Sequence, residues 1–358
     1  MASSLQSSSR SLLLASAVLL LCSWSAFPQP TAAAPSVQSP YQLSVFATSQ
    51  NGYSQPDSIT LWREDILIGY QNHVAKDGSD GKSSTIVQYA PNGRVRRTFS
   101  VPGHNDGLRV VGASDLWCLQ NEDSNPNLVI IDLGTGRQRQ LGFSFTDHGG
   151  GFDDIAVKNG DVYISLSNPN LDSAGNNVFP ALSRARVSGR GSVVELEPVM
   201  TGNASAMDIP TGGTVTLNLT DPDSLTIDPR GNLVLNSQSD SELIFIRDPL
   251  TPNQAVGRLK IDVGGTATTV DETAFVPGPG TYMLFADVKA DTVYRLDNPA
   301  FGFEPGTAYC TSDTAGIVGV LNLDNGALTP VATGFGSTRG MVFVSPRAHG
   351  KDLQTGEN

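Results

Sequence analysis

Five carboxylates recur at one point of a repeated pattern: Asp57 in "QPDSITLW", Asp106 in "HNDGLRVV", Asp153 in "GFDDIAVK", Asp223 in "DPDSLTID" and Asp271 in "TVDETAFV". A sixth segment, "STRGMVFV", places Arg339 where the others have Asp. Carboxylates gathered at close range raise one another's pKa and destabilise a fold, and a hard cation with oxygen ligands relieves this. If the five converge, with Asp154 and Glu272 beside them, the chemistry on offer is divalent-cation binding. Ca²⁺ is the first expectation, Mg²⁺ and Zn²⁺ are the alternatives, and no organic cofactor is expected. The competing account is local: Asp accepts backbone hydrogen bonds in turns, and "PDS" and "NDG" are ordinary turn formers. Both accounts can hold at different repeats.

Two histidines stand near these acids. His104 precedes Asp106 by two residues, and His148, in "TDHGGGFDD", precedes Asp153 by five. Each can bind a borderline metal such as Zn²⁺, act as general base, or simply sit on a loop. "HGGG" has the look of an oxyanion-hole loop, yet no Gly-X-Ser-X-Gly elbow accompanies it. Arg339 can pair with a neighbouring carboxylate or orient an anionic ligand group, so His148 and Arg339 are the candidate ligand-binding residues.

The elements that must position these groups are strands. Each segment runs from a small or acidic turn into an apolar strand, a polar or Gly turn, and a second apolar strand. Period-two alternation, β-branched enrichment and Gly or Asn turns carry that reading, and no stretch has sustained helical periodicity. The aligned positions are separated by 49, 47, 70, 48 and 68 residues, and the gaps near 48 suit one four-stranded unit. The longer gaps hold "DSAGNNVFPALS" and "NPAFGFEPGTAYCTSD", which read as insertions. A four-stranded sheet cannot bury both faces alone, whereas radial stacking of such sheets buries them and leaves few open edges. The expected fold is all-β: a β-propeller of six four-stranded blades over residues 55–346, with five or seven as the other counts. A double sandwich would not explain the repeated acidic position, and a parallel β-helix needs shorter repeats. "YQLSVFATS" from Tyr41, within the N-terminal segment 34–54, is available to close the ring. The strands "GIVGVLNLD" and "LTPVATGF" are assigned to the last blade with it.

The acidic balance, a net charge of -12, leaves nothing to neutralise a phosphate backbone and argues against a nucleic-acid partner. "SLLLASAVLLLC" after Arg10 is apolar but too short to span a bilayer, so residues 1–33 read as a secretory signal and linker. A secreted or periplasmic monomer with a polar tail over 347–358 is expected, without a membrane span, its partner a small molecule or an exported protein. Beyond the signal only Cys118 and Cys310 remain, too few for a disulfide framework, and buried thiols are expected. The sequons at Asn203 and Asn218 matter only in a glycosylating host.

The segments "PDSI", "NDGL", "FDDI" and "DPDSLTIDPRGNLVL" resemble the six-bladed propellers of the NHL-repeat and senescence-marker-protein/gluconolactonase-like group. The resemblance covers roughly residues 55–345 and, like any fold-level analogy, implies fold better than function. In the gluconolactonase-like members one divalent metal sits in the central channel, held by a Glu, Asn and Asp residues at the starts of inner strands. Carried over, these positions fall on Asp57, where the family has Glu, on Asn105, on Asp153, where the family has Asn, and on Asp223. Two function classes follow. One is an exported binding or scaffold propeller with a cation in its channel. The other is a metal-dependent hydrolase of the lactonase type, with Asp223 or His104 as the base.

Overall fold

The computed structural model describes residues 34–50, 52–188 and 191–345; the expected signal segment and polar tail lie outside the described residues. Those residues contain strands and no helix, and the strands sort into four-stranded antiparallel blades. Listed from inner to outer strand, the first blade is Pro56–Trp62, Asp65–Tyr70, Ser83–Tyr89 and Val95–Pro102. The second is Asn105–Val111, Asp115–Gln120, Asn127–Asp132 and Gln138–Phe143. The third is Phe152–Lys158, Asp161–Leu166, Pro180–Val187 and Val193–Thr201. A short parallel bridge, Gly142 to Val193, ties the outer edges of the second and third together. The fourth is Pro222–Ile227, Leu233–Ser237, Glu242–Arg247 and Ala255–Lys260, with the hairpin Ser205–Asp208 and Thr214–Thr216 added at its outer edge.

The last two blades are interleaved, which corrects the sequence reading. Thr273–Phe275 was expected to continue into Tyr282–Asp287 as one hairpin; instead it pairs with Ala308–Ser312. The fifth blade is Thr273–Phe275, Ala308–Ser312, Ile317–Leu321 and Leu328–Thr333, with Ser36–Val37 outermost. The sixth is Thr338–Val344, Tyr282–Asp287, Thr292–Asp297 and Gln42–Thr48. "GTAYCTSD" is therefore a strand rather than an insertion, and "GIVGVLNLD" and "LTPVATGF" belong to the fifth blade. The swap escapes sequence reasoning because both pairings satisfy the same alternation, and only long-range packing selects between them. Gln42–Thr48 does close a blade, as expected of "YQLSVFATS".

The six inner strands neighbour one another in ring order, the sixth returning to the first. The pleat explains how such a ring has no single centre of hydrophobic mass. In the first blade Ile66 and Ile68 face the sixth blade with Tyr282 and Leu284, while Leu67 between them faces the second with Leu108 and Leu116. The same division recurs at every junction, giving one apolar cluster per neighbouring pair. Cys118 lies in the cluster between the first and second blades and Cys310 in that between the fourth and fifth; both are buried and free. Burial pushes the Cys310 thiol up to about 12, so it is an inert packing group.

Near the axis the blades approach so closely that side chains are excluded. A Cβ at Gly107 would overlap the Asp153 carbonyl oxygen, and one at Gly340 would overlap that of Asp57. We expect Gly107→Ala to cost about 1–3 kcal/mol by overpacking. Gly142→Ala, with nothing within 4 Å of the new carbon, should stay within roughly 0.5 kcal/mol. Urea unfolding of the two variants measures both.

Candidate functional site

Four of the repeated acids are not in turns before the inner strands but inside them, at bulges: the register shifts between Pro56 and Ile59, Asn105 and Leu108, Phe152 and Ile155, and Pro222 and Leu225, whereas Asp271 stands just ahead of its strand, Thr273–Phe275. A bulge adds an unpaired residue and re-aims side chains, here two successive ones toward the axis. The first residue of each pair (Asp57, Asp106, Asp153, Asp223, Asp271, Arg339) lines one central cavity of about 120 Å³. The second fastens its blade to the next. The Ser58 hydroxyl donates to the Asp106 carbonyl, the Leu225 amide donates to Asp154 at 2.9 Å, and the Ser224 hydroxyl donates to the Asp271 carbonyl.

The cavity wall holds ten acidic side chains against Lys76 and Arg339. Protons and internal cations carry this load together. Burial first, then Glu122 and Asp57, lifts Asp106 well above its ordinary value. Burial, then Asp223 and Asp106, does the same to Asp153, and burial, then Asp271 and Asp221, to Asp223. Among neighbouring charges Glu122 bears most on Asp106, and Asp223 most on Asp153. Glu272 is raised by burial and by Asp154. Burial alone would raise Glu122 too, but the Lys76 ammonium on it and the Asp106 hydrogen bond outweigh that and bring it to about 2. Arg339 joins two blades, donating from Nη1 to Asp57 at 3.2 Å with Nε 3.7 Å from Asp271. Of the two roles expected of Arg339, the geometry displays carboxylate pairing.

A ring of second-strand ends surrounds the acids. Gln71 donates to Asp57 and, at 3.4 Å, to Asp106; Gln238 donates to Asp271 at 3.0 Å; Glu122 and Asn168 line the wall between. Glu122 was not singled out from the sequence. The signal was present, because the repeats end alike in "GYQN", "CLQN", "SLSN" and "LNSQ", and Glu122 directly follows "CLQN".

Asn105 and His148 do not line this cavity. The Asn105 amide donates to the Leu119 carbonyl at 3.0 Å, inside its own blade. Burial lowers His148, so the ring is neutral; its Nε2 donates to the Gly151 carbonyl at 2.7 Å, and Phe145 and Phe152 flank it. The "HGGG" glycines serve close approach. Gly151 donates its N–H to the Glu122 carbonyl at 2.6 Å, and a Cβ there would strike the Asn121 and Glu122 carbonyls. That run holds Glu122 in place and offers no oxyanion hole at Gly151.

His104 stands behind Asp106 and Glu122. Its Nδ1 lies 2.8 Å from the Val74 carbonyl, which fixes the tautomer with Nδ1–H donating and Nε2 bearing a free lone pair. Nε2 points to Glu122 at 4.0 Å. His104, Asp106 and Glu122 are each at least nine-tenths buried, and their ligand atoms lie within 4.8 Å of one another. His104 Nε2 and Asp106 Oδ2 have no hydrogen-bond partner among the described residues, and Glu122 Oε1 carries the Lys76 ammonium.

No family model matches the chain, and no curated protein matches it. Among solved structures it is similar to a protein assigned to the gluconolactonases, at 12% identity over 84% of this chain and 83% of that one, with a TM-score of 0.46. It is similar to a streptogramin B lyase at 12% identity, over 85% and 87% of the two chains, TM-score 0.46. A third is the virginiamycin B lyase of Staphylococcus aureus, at 12% identity over 80% and 86%, TM-score 0.46. The class, a β-propeller, rests on the strand pairing itself.

Linkage gives a testable consequence. Asp106, Asp153, Asp223, Asp271 and Glu272 are raised in the fold, so their contribution to stability is fully present below the unfolded carboxylate range. It is lost as pH rises through their folded values. Glu122 is lowered to about 2 and acts oppositely, losing stability only as pH falls below about 4.5. His148, lowered by burial, loses stability as pH falls through its ordinary value, but it is one group against five, so chelator-treated protein should melt at a higher temperature at pH 5.5 than at pH 8. A melting temperature that falls on this acidification would contradict the assigned directions.

Proposed function

We propose that this chain is an exported binding propeller whose channel mouth takes a divalent cation, with His104, Asp106 and Glu122 as ligands. One observation carries the reading: three buried ligand atoms face one another, two of them, His104 Nε2 and Asp106 Oδ2, without a hydrogen-bond partner among the described residues and the third, Glu122 Oε1, held only by the Lys76 ammonium, and the imidazole among them is held in the ligating tautomer. A ligating His whose other nitrogen donates to a backbone carbonyl is the usual support of a metal site. Ca²⁺ takes oxygen ligands, so the imidazole nitrogen favours a borderline ion such as Zn²⁺ or Mn²⁺ here. The all-oxygen side of the cavity, Asp153, Asp223 and Asp271, suits Ca²⁺ or Mg²⁺ better. Asp57 is engaged by Arg339 and Asn105 by Leu119, which sets this arrangement apart from the ligand set implied by the gluconolactonase-like resemblance. The exposed part of the mouth is left to a small oxygen-rich ligand or to the surface of an exported partner, in a secreted or periplasmic monomer.

A second reading, a metal-dependent hydrolase of the lactonase type, is favoured by the Asp153–Asp223 pair. A carboxyl raised well above its ordinary value beside a cation site is a suitable general base. Asp223 fills that role better than His104, which does not line the cavity.

Metal analysis of the purified protein and calorimetric titration with Zn²⁺, Mn²⁺ and Ca²⁺ test the binding reading. Asp106→Asn and Glu122→Gln should each weaken binding by at least about tenfold, and chelator should lower the melting temperature at pH 8. Absence of bound metal, with no titration heat and no effect of chelator, would refute it. Turnover of lactones or phosphoesters that chelator and Asp223→Asn both abolish would establish the hydrolase instead.

A further inference from the structure

The loop over residues 71–82 meets the cation site twice. Its Val74 carbonyl accepts from His104 Nδ1 and so sets the ligating tautomer. Two residues on, the Lys76 ammonium contacts Glu122 Oε1, the same oxygen that lies 4.0 Å from His104 Nε2. An ion held by His104, Asp106 and Glu122 needs that carboxylate, and a second full positive charge beside it is repelled by the ion. Lys76 is therefore placed as an occupant of the site's charge, not as a bystander.

The backbone does not have to move for Lys76 to leave. The Asp123 amide donates to the Lys76 carbonyl, the Asn125 amide side chain donates to the Asp77 carbonyl at 3.2 Å, and the Gly78 amide donates to Ala75 at 2.8 Å. These bonds fasten the loop while the Lys76 side chain remains 49% exposed. A flexible four-carbon stem with a strongly hydrated head can swing into solvent at small cost, unlike a buried Arg fork. Arg339, 22% exposed and bridging two blades, lacks that freedom.

We propose that Lys76 is a built-in, displaceable counter-ion: it neutralises Glu122 when the site is empty and is released to solvent when a divalent cation enters. Lys76 then sets the affinity threshold of the site and reports its occupancy on the surface of the mouth. The inference rests on the cation reading given above and adds a specificity-determining residue that is not a ligand. It also accounts for a buried Glu in a cavity with so large an acidic excess, since that Glu has a partner in either state.

Two measurements test it. Lys76→Met removes the charge and keeps the stem, and should tighten Zn²⁺ or Mn²⁺ binding by about tenfold or more; Lys76→Arg, which keeps the charge, should not. In the wild-type protein, acetylation of Lys76 by a water-soluble acylating reagent, read by mass spectrometry, should accelerate several-fold on adding the cation. Lys82, paired with Asp80 on the same loop, serves as the internal reference. Equal affinity in wild type and Lys76→Met, or Lys76 labelling indifferent to a cation shown to bind, would overturn the counter-ion role and leave the cation site standing. No binding to wild type or to Lys76→Met would remove the cation site itself, and this inference with it.

Discussion

The constraint on which the structure depends is the close approach of six inner strands around one axis. A strand that runs straight offers one side chain in two to the channel, and its neighbours then stand apart. The bulge at four of the five acidic positions changes this. It turns two successive residues inward, so one lines the cavity and the next reaches the adjacent blade. Where the second residue is Ser58 or Ser224 it donates to the neighbour's carbonyl; where it is Gly107 or Gly340 the backbones themselves meet. The ring is thus closed by polar fasteners at its centre and by six separate apolar clusters between blades. Since every blade donates its two faces to two clusters, no blade is stable without both neighbours.

That closure forces the electrostatics. The first residue of each bulge has nowhere to point except the channel; in four blades it is Asp, and in a fifth Asp271 reaches the channel from just ahead of its strand. Concentrating these carboxyls away from water is costly unless charge is removed or matched. Three devices share the load in this channel. Arg339 matches Asp57 and Asp271. Burial and mutual repulsion favour the protonated form of Asp106, Asp153 and Asp223, which removes charge. Lys76 matches Glu122 from the rim. The acidic excess that remains, with the unpartnered nitrogen of His104 behind it, is what the proposed cation site rests on.

Much of this was legible in the sequence, and the reason is that the relevant signals are local. Alternating strands with Gly or Asn turns gave the all-β repeat, and the aligned Asp positions reported the inner strands because the bulge is a local backbone feature with a fixed residue preference. The glycines of "HGGG" and the Asn105 side chain were misleading for the same reason. Their types suit an oxyanion loop and a ligand, yet tertiary packing spends them on the Glu122 and Leu119 carbonyls. The exchange of strands between the fifth and sixth blades left no local trace at all. Thr273–Phe275 followed by Tyr282–Asp287 reads as a hairpin by every short-range rule, and "AYCTS" differs from an insertion only once its partners are known.

Glu122 shows where reading could have gone further. Amide residues lie at or just beyond the ends of the second strands of four repeats, and such residues sit at the height of the bulges by the geometry of an antiparallel hairpin whose turn is short. A side chain at that height reaches the axis, so the residue immediately beyond "CLQN" belonged with the candidate ligands on spacing alone. The same geometry explains why Lys76 could not be found this way. It lies mid-loop, at no repeated position, and its meeting with Glu122 depends on left-handed backbone at Asn72, His73 and Gly78 that folds the loop back over the mouth. A repeat specifies the ring and its acids, whereas the loop over residues 71–82 supplies the cation that the ring itself lacks on that side. The positive charges that match the acids of this channel therefore come from residues that break the repeat, Arg339 and Lys76.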